Sequence, residues 1–190
     1  MSYIPKKHNI ERVTDFRPIS LCNTSYKLIS KPTVSHIKPY LSQCISPYQF
    51  SFVPGHNIID NIILVEEIAH SIAPNHAKHH PTAIKIDLSK AYDTLKWHFI
   101  HDTLSYFGLP QWLYHLIMAF ISTPTMRVQW DGKPGPEFRP TRGIRQGDPL
   151  SCYIFALCME RLSRLIQEAV HHKRWIPFNS APFKLLICLY

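Results

Sequence analysis

Acidic residues are scarce in this sequence. It sets 13 Asp and Glu against 21 Lys and Arg, and none of the 13 follows Glu168. The resulting charge of +8, with a pI near 9.3, favours a polyanionic partner without naming one. Cysteine is present but unorganised. Cys22, Cys44, Cys152, Cys158 and Cys188 form no CxxC pair and no histidine-partnered spacing, which argues against a zinc site. The twelve histidines do not alter this, because His76, His79 and His80 fall in a polar loop. The opening MSYIPKK has no apolar segment of the kind a secretory signal needs, so a reducing nuclear or cytoplasmic location is expected, not secretion. Long hydrophobic runs are also missing. The uncharged stretch 109–126 holds Pro110 and Pro124 and leaves too short a helix to cross a bilayer. No repeat or low-complexity tract is visible.

What is there suits a folded protein with a core: 190 residues, 45% hydrophobic and 12% aromatic. Residues 1–23 are proline-punctuated, with a strand expected at 16–21. Tyr26 to Leu41 has helical periodicity through Leu28, Ile29, Ile37 and Leu41, but Pro32 inside it predicts a kink or two shorter helices. A loop follows at 46–57. The segment 58–72 reads as a broadly apolar, largely buried helix, and 73–81 as a polar linker. Tyr92, Leu95, Phe99 and Tyr106 recur at helical spacing until Gly108 stops them. A short helix is predicted at 112–121. A strand at 126–130 turns at Asp131-Gly132 into a returning segment that Pro134 and Pro136 limit to an edge. Asp148 then caps a long helix with Pro149 at its first position; Leu150, Ile154, Leu157, Leu162, Leu165 and Ile166 form its buried face.

Two segments carry chemistry. In AIKIDLSKAYD, residues 83–93, a β-branched strand ends on Asp87 and turns at once into a helix. A carboxylate there is fixed by a sheet yet open to ions, as a two-metal phosphoryl-transfer site requires of an oxygen ligand. Taken alone, Asp87 reads more simply as a helix cap. Asp93 faces away from it and suits a helix N-terminal charge. In RGIRQGDPLSCYIF, residues 142–155, Gly143 and Gly147 let backbone approach a partner closely, since no side chain intrudes. Gln146 offers a hydrogen-bonding amide between them, and Arg142 and Arg145 are cations suited to phosphates without a choice of sequence. Both arginines belong to a basic run with Arg127, Lys133 and Arg139 that reads equally as a solvated loop.

These segments occur in order with FRPISLCNTSYKLISK at 16–31 and QFSFVPGHNIIDNI at 49–62. Across the four blocks the chain resembles the reverse transcriptase domain of plant non-LTR (LINE-type) retrotransposons. The resemblance implies an α+β right-hand polymerase fold. Residues 1–80 would be fingers-like and 81–190 an incomplete palm, with motif A at 83–93 and motif B at 142–155. It implies RNA-directed DNA polymerase activity on an RNA template, a DNA primer and a dNTP, with two Mg²⁺ ions as cofactors. Asp87 matches the first catalytic aspartate and metal ligand, and the Leu88 carbonyl is a possible further ligand. Tyr92 matches the steric gate against ribonucleotides. Arg17, and less closely Lys7 or Lys6, match the residues that contact the incoming triphosphate. Nothing points to a membrane or to self-association.

The pattern breaks where an aromatic-Ala-Asp-Asp hairpin should supply the second metal-binding carboxylate: the chain runs APFKLLICLY to Tyr190 instead. Asp102 and Asp131 have no motif support as substitutes. His56 replaces the usual Arg, Cys152 the usual Pro, and Pro32 interrupts a helix. The expectation is a domain truncated before that hairpin, which would hold two Mg²⁺ ions poorly and not polymerise DNA by itself. The alternatives are a residual, non-catalytic nucleic-acid-binding module and a non-functional retroelement remnant.

Overall fold

The computed structural model describes residues 1–46, 49, 52, 53, 55, 57–72, 84 and 86–176. The expected linker at 73–81, His56 and the terminal APFKLLICLY lie outside the described residues. The chain combines helices with two small sheets. A hairpin pairs β1 (Ser2–Pro5) with β2 (Phe16–Ile19), antiparallel, with Ile4 opposite Arg17. Then come α1 (Thr24–Cys44), α2 (Ile58–Ile72), the single turn α3 (Ala91–Thr94), α4 (Trp97–Tyr106) and α5 (Gln111–Ser122). A second hairpin, β3 (Met126–Trp130) with β4 (Lys133–Phe138), precedes the long α6 (Pro149–His171). Its turn has positive φ at Asp131 and Gly132, the pairing that matches the twist of two adjoining strands. Gln129 N–H donates to the Met1 carbonyl at 2.9 Å and sets the two hairpins side by side.

The core lies where α1 and α4 meet α6, with α5 closing over α4. Ile37 and Leu41 of α1, Ile100 and Leu104 of α4, and Leu150, Ile154 and Leu157 of α6 are fully buried or nearly so. That packing explains why α1 is one helix of 21 residues despite Pro32 and a second proline, Pro39. Each interior proline costs about 3 kcal/mol, but both sit on the exposed face. The carbonyls they deprive, at Leu28 and Ser35, therefore face water. Burying Val34, Ile37 and Leu41 against α6 offsets that cost at roughly 1.5–3 kcal/mol per side chain. The helical period at 26–41 also overstated the buried face, since Leu28 is 71% exposed and Ile29 54%. Leu41→Ala should accordingly lower stability by about 3 kcal/mol and Leu28→Ala by less than about 0.5. Urea unfolding of the two variants measures this, and equal losses would contradict the packing.

An ion pair between a buried carboxylate and a partly exposed arginine fixes the C-terminal end of α1. Glu160, 1% exposed, lies 3.4 Å from Arg164, whose Nη2 donates to the Cys44 carbonyl at 2.7 Å. Burial raises the Glu160 carboxyl above its usual range.

Three expectations need correction. The segment 58–72 is helical over the predicted residues, but Ile59, Ile62, Ile63 and Val65 are exposed, so apolarity there does not mean burial. The helix expected after Asp87 is two pieces, α3 and α4, because Leu95 and Lys96 are extended between them. Leu165 is half exposed, and the buried face of α6 ends at Ser163. Among the described residues Ile84 and 86–88 are exposed and belong to no strand, and the rest of the strand expected to end on Asp87 lies outside the described residues. A strand exists only through its neighbour's hydrogen bonds, and both described sheets are closed two-stranded hairpins elsewhere.

Candidate nucleic-acid interface

The turn at 143–147 is where three distant pieces of chain meet. Gly143 N–H donates to the Leu95 carbonyl at 2.7 Å, and Ile144 N–H to the Tyr92 carbonyl at 2.8 Å. From the other side, Ser20 N–H, just past β2, donates to the Gln146 carbonyl at 2.8 Å. Both glycines are required by these contacts. A Cβ on Gly143 would lie 2.7 Å from the Asp93 carbonyl oxygen and 2.9 Å from that of Tyr92. On Gly147 it would lie 2.9 Å from the Ser20 carbonyl oxygen. Both also have positive φ, 85° and 96°, which a side chain would strain. Their small size thus serves contact between protein segments before any contact with a base pair.

Behind the turn, Asp148 is 3% exposed and caps α6 by accepting from Leu150 N–H at 3.0 Å. It also accepts a hydrogen bond from the Tyr26 hydroxyl of α1. Arg145 lies over the Tyr26 ring, 4.1 Å from its centroid, and donates to the Phe120 carbonyl at 3.0 Å. Its ion pair with Asp148 spans 3.4 Å, and its side chain is 13% exposed. Burial, then the bond to Asp148, pushes the Tyr26 hydroxyl above its ordinary range. Arg145 is therefore spent on internal contacts, unlike Arg142, which is exposed.

Tyr92 stacks on Phe155 of α6, with centroids 4.9 Å apart and planes 19° apart, and its hydroxyl faces the Cys152 thiol. Burial raises that hydroxyl's pKa. Asp93 is half buried, and burial raises its carboxyl, opposed by Lys90 and by the facing Gln146 amide. A cavity of about 130 Å³ opens here, lined by Pro18, Ser20, Asp93, Arg142 and Gln146 among others. Asp87 and Leu88 are exposed on the approach to α3. Arg17 is exposed on β2, whereas Lys7 is held 3.1 Å from Asp15 and Lys6 donates to the Thr14 carbonyl.

The sequence reading missed the roles of Tyr26, Trp97 and Phe155. Tyr26 and Phe155 lie inside the quoted blocks, but nothing local says what each touches. Trp97 stands outside every block.

The sequence as a whole matches a known family. A family model described as Reverse transcriptase (RNA-dependent DNA polymerase) matches residues 4–190. This chain belongs to the reverse transcriptases. Such enzymes act on nucleic-acid templates and primers and use divalent metal ions. This reverse transcriptase domain is of the non-LTR retrotransposon type. It is 30% identical over 174 residues to the Retrovirus-related Pol polyprotein from type-2 retrotransposable element R2DM of Drosophila melanogaster, covering 90% of this chain and 16% of that protein. It is 28% identical over 170 residues to the Transposon TX1 uncharacterized 149 kDa protein of Xenopus laevis, covering 88% and 13% respectively. The Uncharacterized mitochondrial protein AtMg01250 of Arabidopsis thaliana shares 50% identity over 44 residues, 23% of this chain and 36% of that protein. Among the described residues of the reverse transcriptase domain, no helix is long and apolar enough to cross a membrane.

Proposed function

We propose that this domain seats an RNA template and DNA primer for the RNA-directed DNA polymerase of a plant LINE-type element. Residues 1–80 form its fingers-like part and 81–190 an incomplete palm. The observation that carries this reading is the convergence of β2, the 92–95 backbone and the 143–147 turn on one cavity beside exposed Arg142. Arg142 supplies phosphate affinity, and Gln146 faces the nascent pair. Arg17, with less from Lys7, meets the dNTP triphosphate, and Tyr92 closes the sugar pocket. The match to an Arabidopsis protein supports the plant source.

Asp87, with the Leu88 carbonyl, is the candidate Mg²⁺ ligand, and its exposure leaves it open to ions. The fit to two ions is poor. Among the described residues, no group of three or more His, Cys, Asp or Glu is arranged to hold a metal. One carboxylate cannot neutralise two ions ~3.5–4 Å apart. Template–primer binding without turnover is therefore the function proposed for these 190 residues by themselves.

Primer extension on poly(rA)/oligo(dT) with Mg²⁺ or Mn²⁺, beside a gel shift of the same duplex, tests this. The expected result is a salt-sensitive shift and no incorporation. Incorporation abolished by Asp87→Asn would overturn the lack of turnover. No shift at low salt would overturn the reading as a whole.

A further inference from the structure

Trp97 begins α4, four residues past the motif A segment, and is only partly buried. Its indole Nε1–H donates to the Gly143 carbonyl at 2.8 Å. The same short stretch of chain supplies the Tyr92 and Leu95 carbonyls that accept from Ile144 and Gly143. Gly143 is thus held through both its N–H and its C=O, with its Cα pressed on the Asp93 and Tyr92 carbonyls. Two of these three hydrogen bonds use backbone groups and do not depend on the side chain at position 97. The indole bond is the one that depends on a side chain.

We propose that Trp97 is a positioning residue for the template–primer seat. By fixing the Gly143 peptide it aims the 143–147 turn, and with it Arg142 and Gln146, at the duplex. A free turn would have to lose that freedom on binding, so affinity would fall. The inference rests on the reading of this turn as the duplex seat.

Phenylalanine and histidine separate the donor from the ring. Trp97→Phe keeps an aromatic ring and removes the N–H. Trp97→His places Nε2 where the indole nitrogen stands, since both atoms lie two bonds from Cγ in a five-membered ring. The measurement is fluorescence anisotropy of a labelled RNA–DNA template–primer titrated with the full 190-residue chain, alongside thermal melting. Trp97→Phe should bind about tenfold more weakly, the factor that one lost hydrogen bond to a part-buried carbonyl carries. Trp97→His should stay within about threefold of the original chain, although it loses more packing. If the two variants lose affinity equally, or in step with their melting temperatures, the indole is merely structural and the inference fails. It fails too if neither loses any.

A second measurement holds even where Trp97→Phe does not fold. Hydrogen exchange on the unmodified chain should slow at Gly143 and Ile144 when duplex is added. Binding without that slowing overturns the role given to Trp97, whereas no binding at all overturns the proposed function instead.

Discussion

Replacing Asp148 by alanine should cost about 4–6 kcal/mol, a large share of the stability a domain ordinarily has. Two losses combine. The cap of α6 accounts for about 1 kcal/mol, because Leu150 N–H would lose its acceptor. The larger share, about 3–5 kcal/mol, comes from stranding Arg145 as a nearly buried, unpaired charge beneath Tyr26. Asp148→Asn separates the two, since its amide oxygen can still cap the helix while the charge is gone. It should recover the cap's share and little more. Circular dichroism with urea titration reads both variants. A midpoint for Asp148→Ala within about 1 kcal/mol of the original would mean that the Tyr26–Asp148–Arg145 contacts do not hold α1 to α6.

Gly143→Ala should cost about 3–5 kcal/mol and Gly108→Ala only about 1–2, although both glycines have left-handed backbones. Their φ angles, 85° and 67°, strain an alanine similarly. Their surroundings differ. A Cβ at Gly108 meets nothing within 4 Å, whereas at Gly143 the three nearest atoms are backbone at 2.7–3.0 Å. A flexible side chain could move aside, but these atoms are backbone, and the Tyr92 carbonyl is already bonded to the turn. Equal losses in the two variants, measured by the same titration, would contradict the close approach.

How much of this was legible in the sequence depends on the range of each interaction. The start of α6 was readable because its cause is local: Asp148 and Pro149 supply an acceptor and a fixed φ where a helix needs them. The β3–β4 hairpin was readable for the same reason, since Asp131-Gly132 accepts the positive φ of its turn. The bounds of α2 followed from its apolar period, but its burial did not, because burial needs a neighbour and the period names none. The strand expected before Asp87 lies partly outside the described residues, and β-branched residues favour pairing but cannot supply the partner. At the site, the residue types were legible and their partners were not. Arg145 looked like a phosphate contact because the ring and carbonyl that absorb it lie on α1 and α5.

The bond between Tyr26 and Asp148 joins residues 122 positions apart. Bringing such a pair together costs roughly 4 kcal/mol of chain entropy before any contact rewards it. That contact, and the Ser20–Gln146 bond near it, must therefore form late in folding, after the local helices exist. A domain that has begun to unravel therefore loses the turn's outer wall at once, because that wall exists only while these distant stretches of chain are joined.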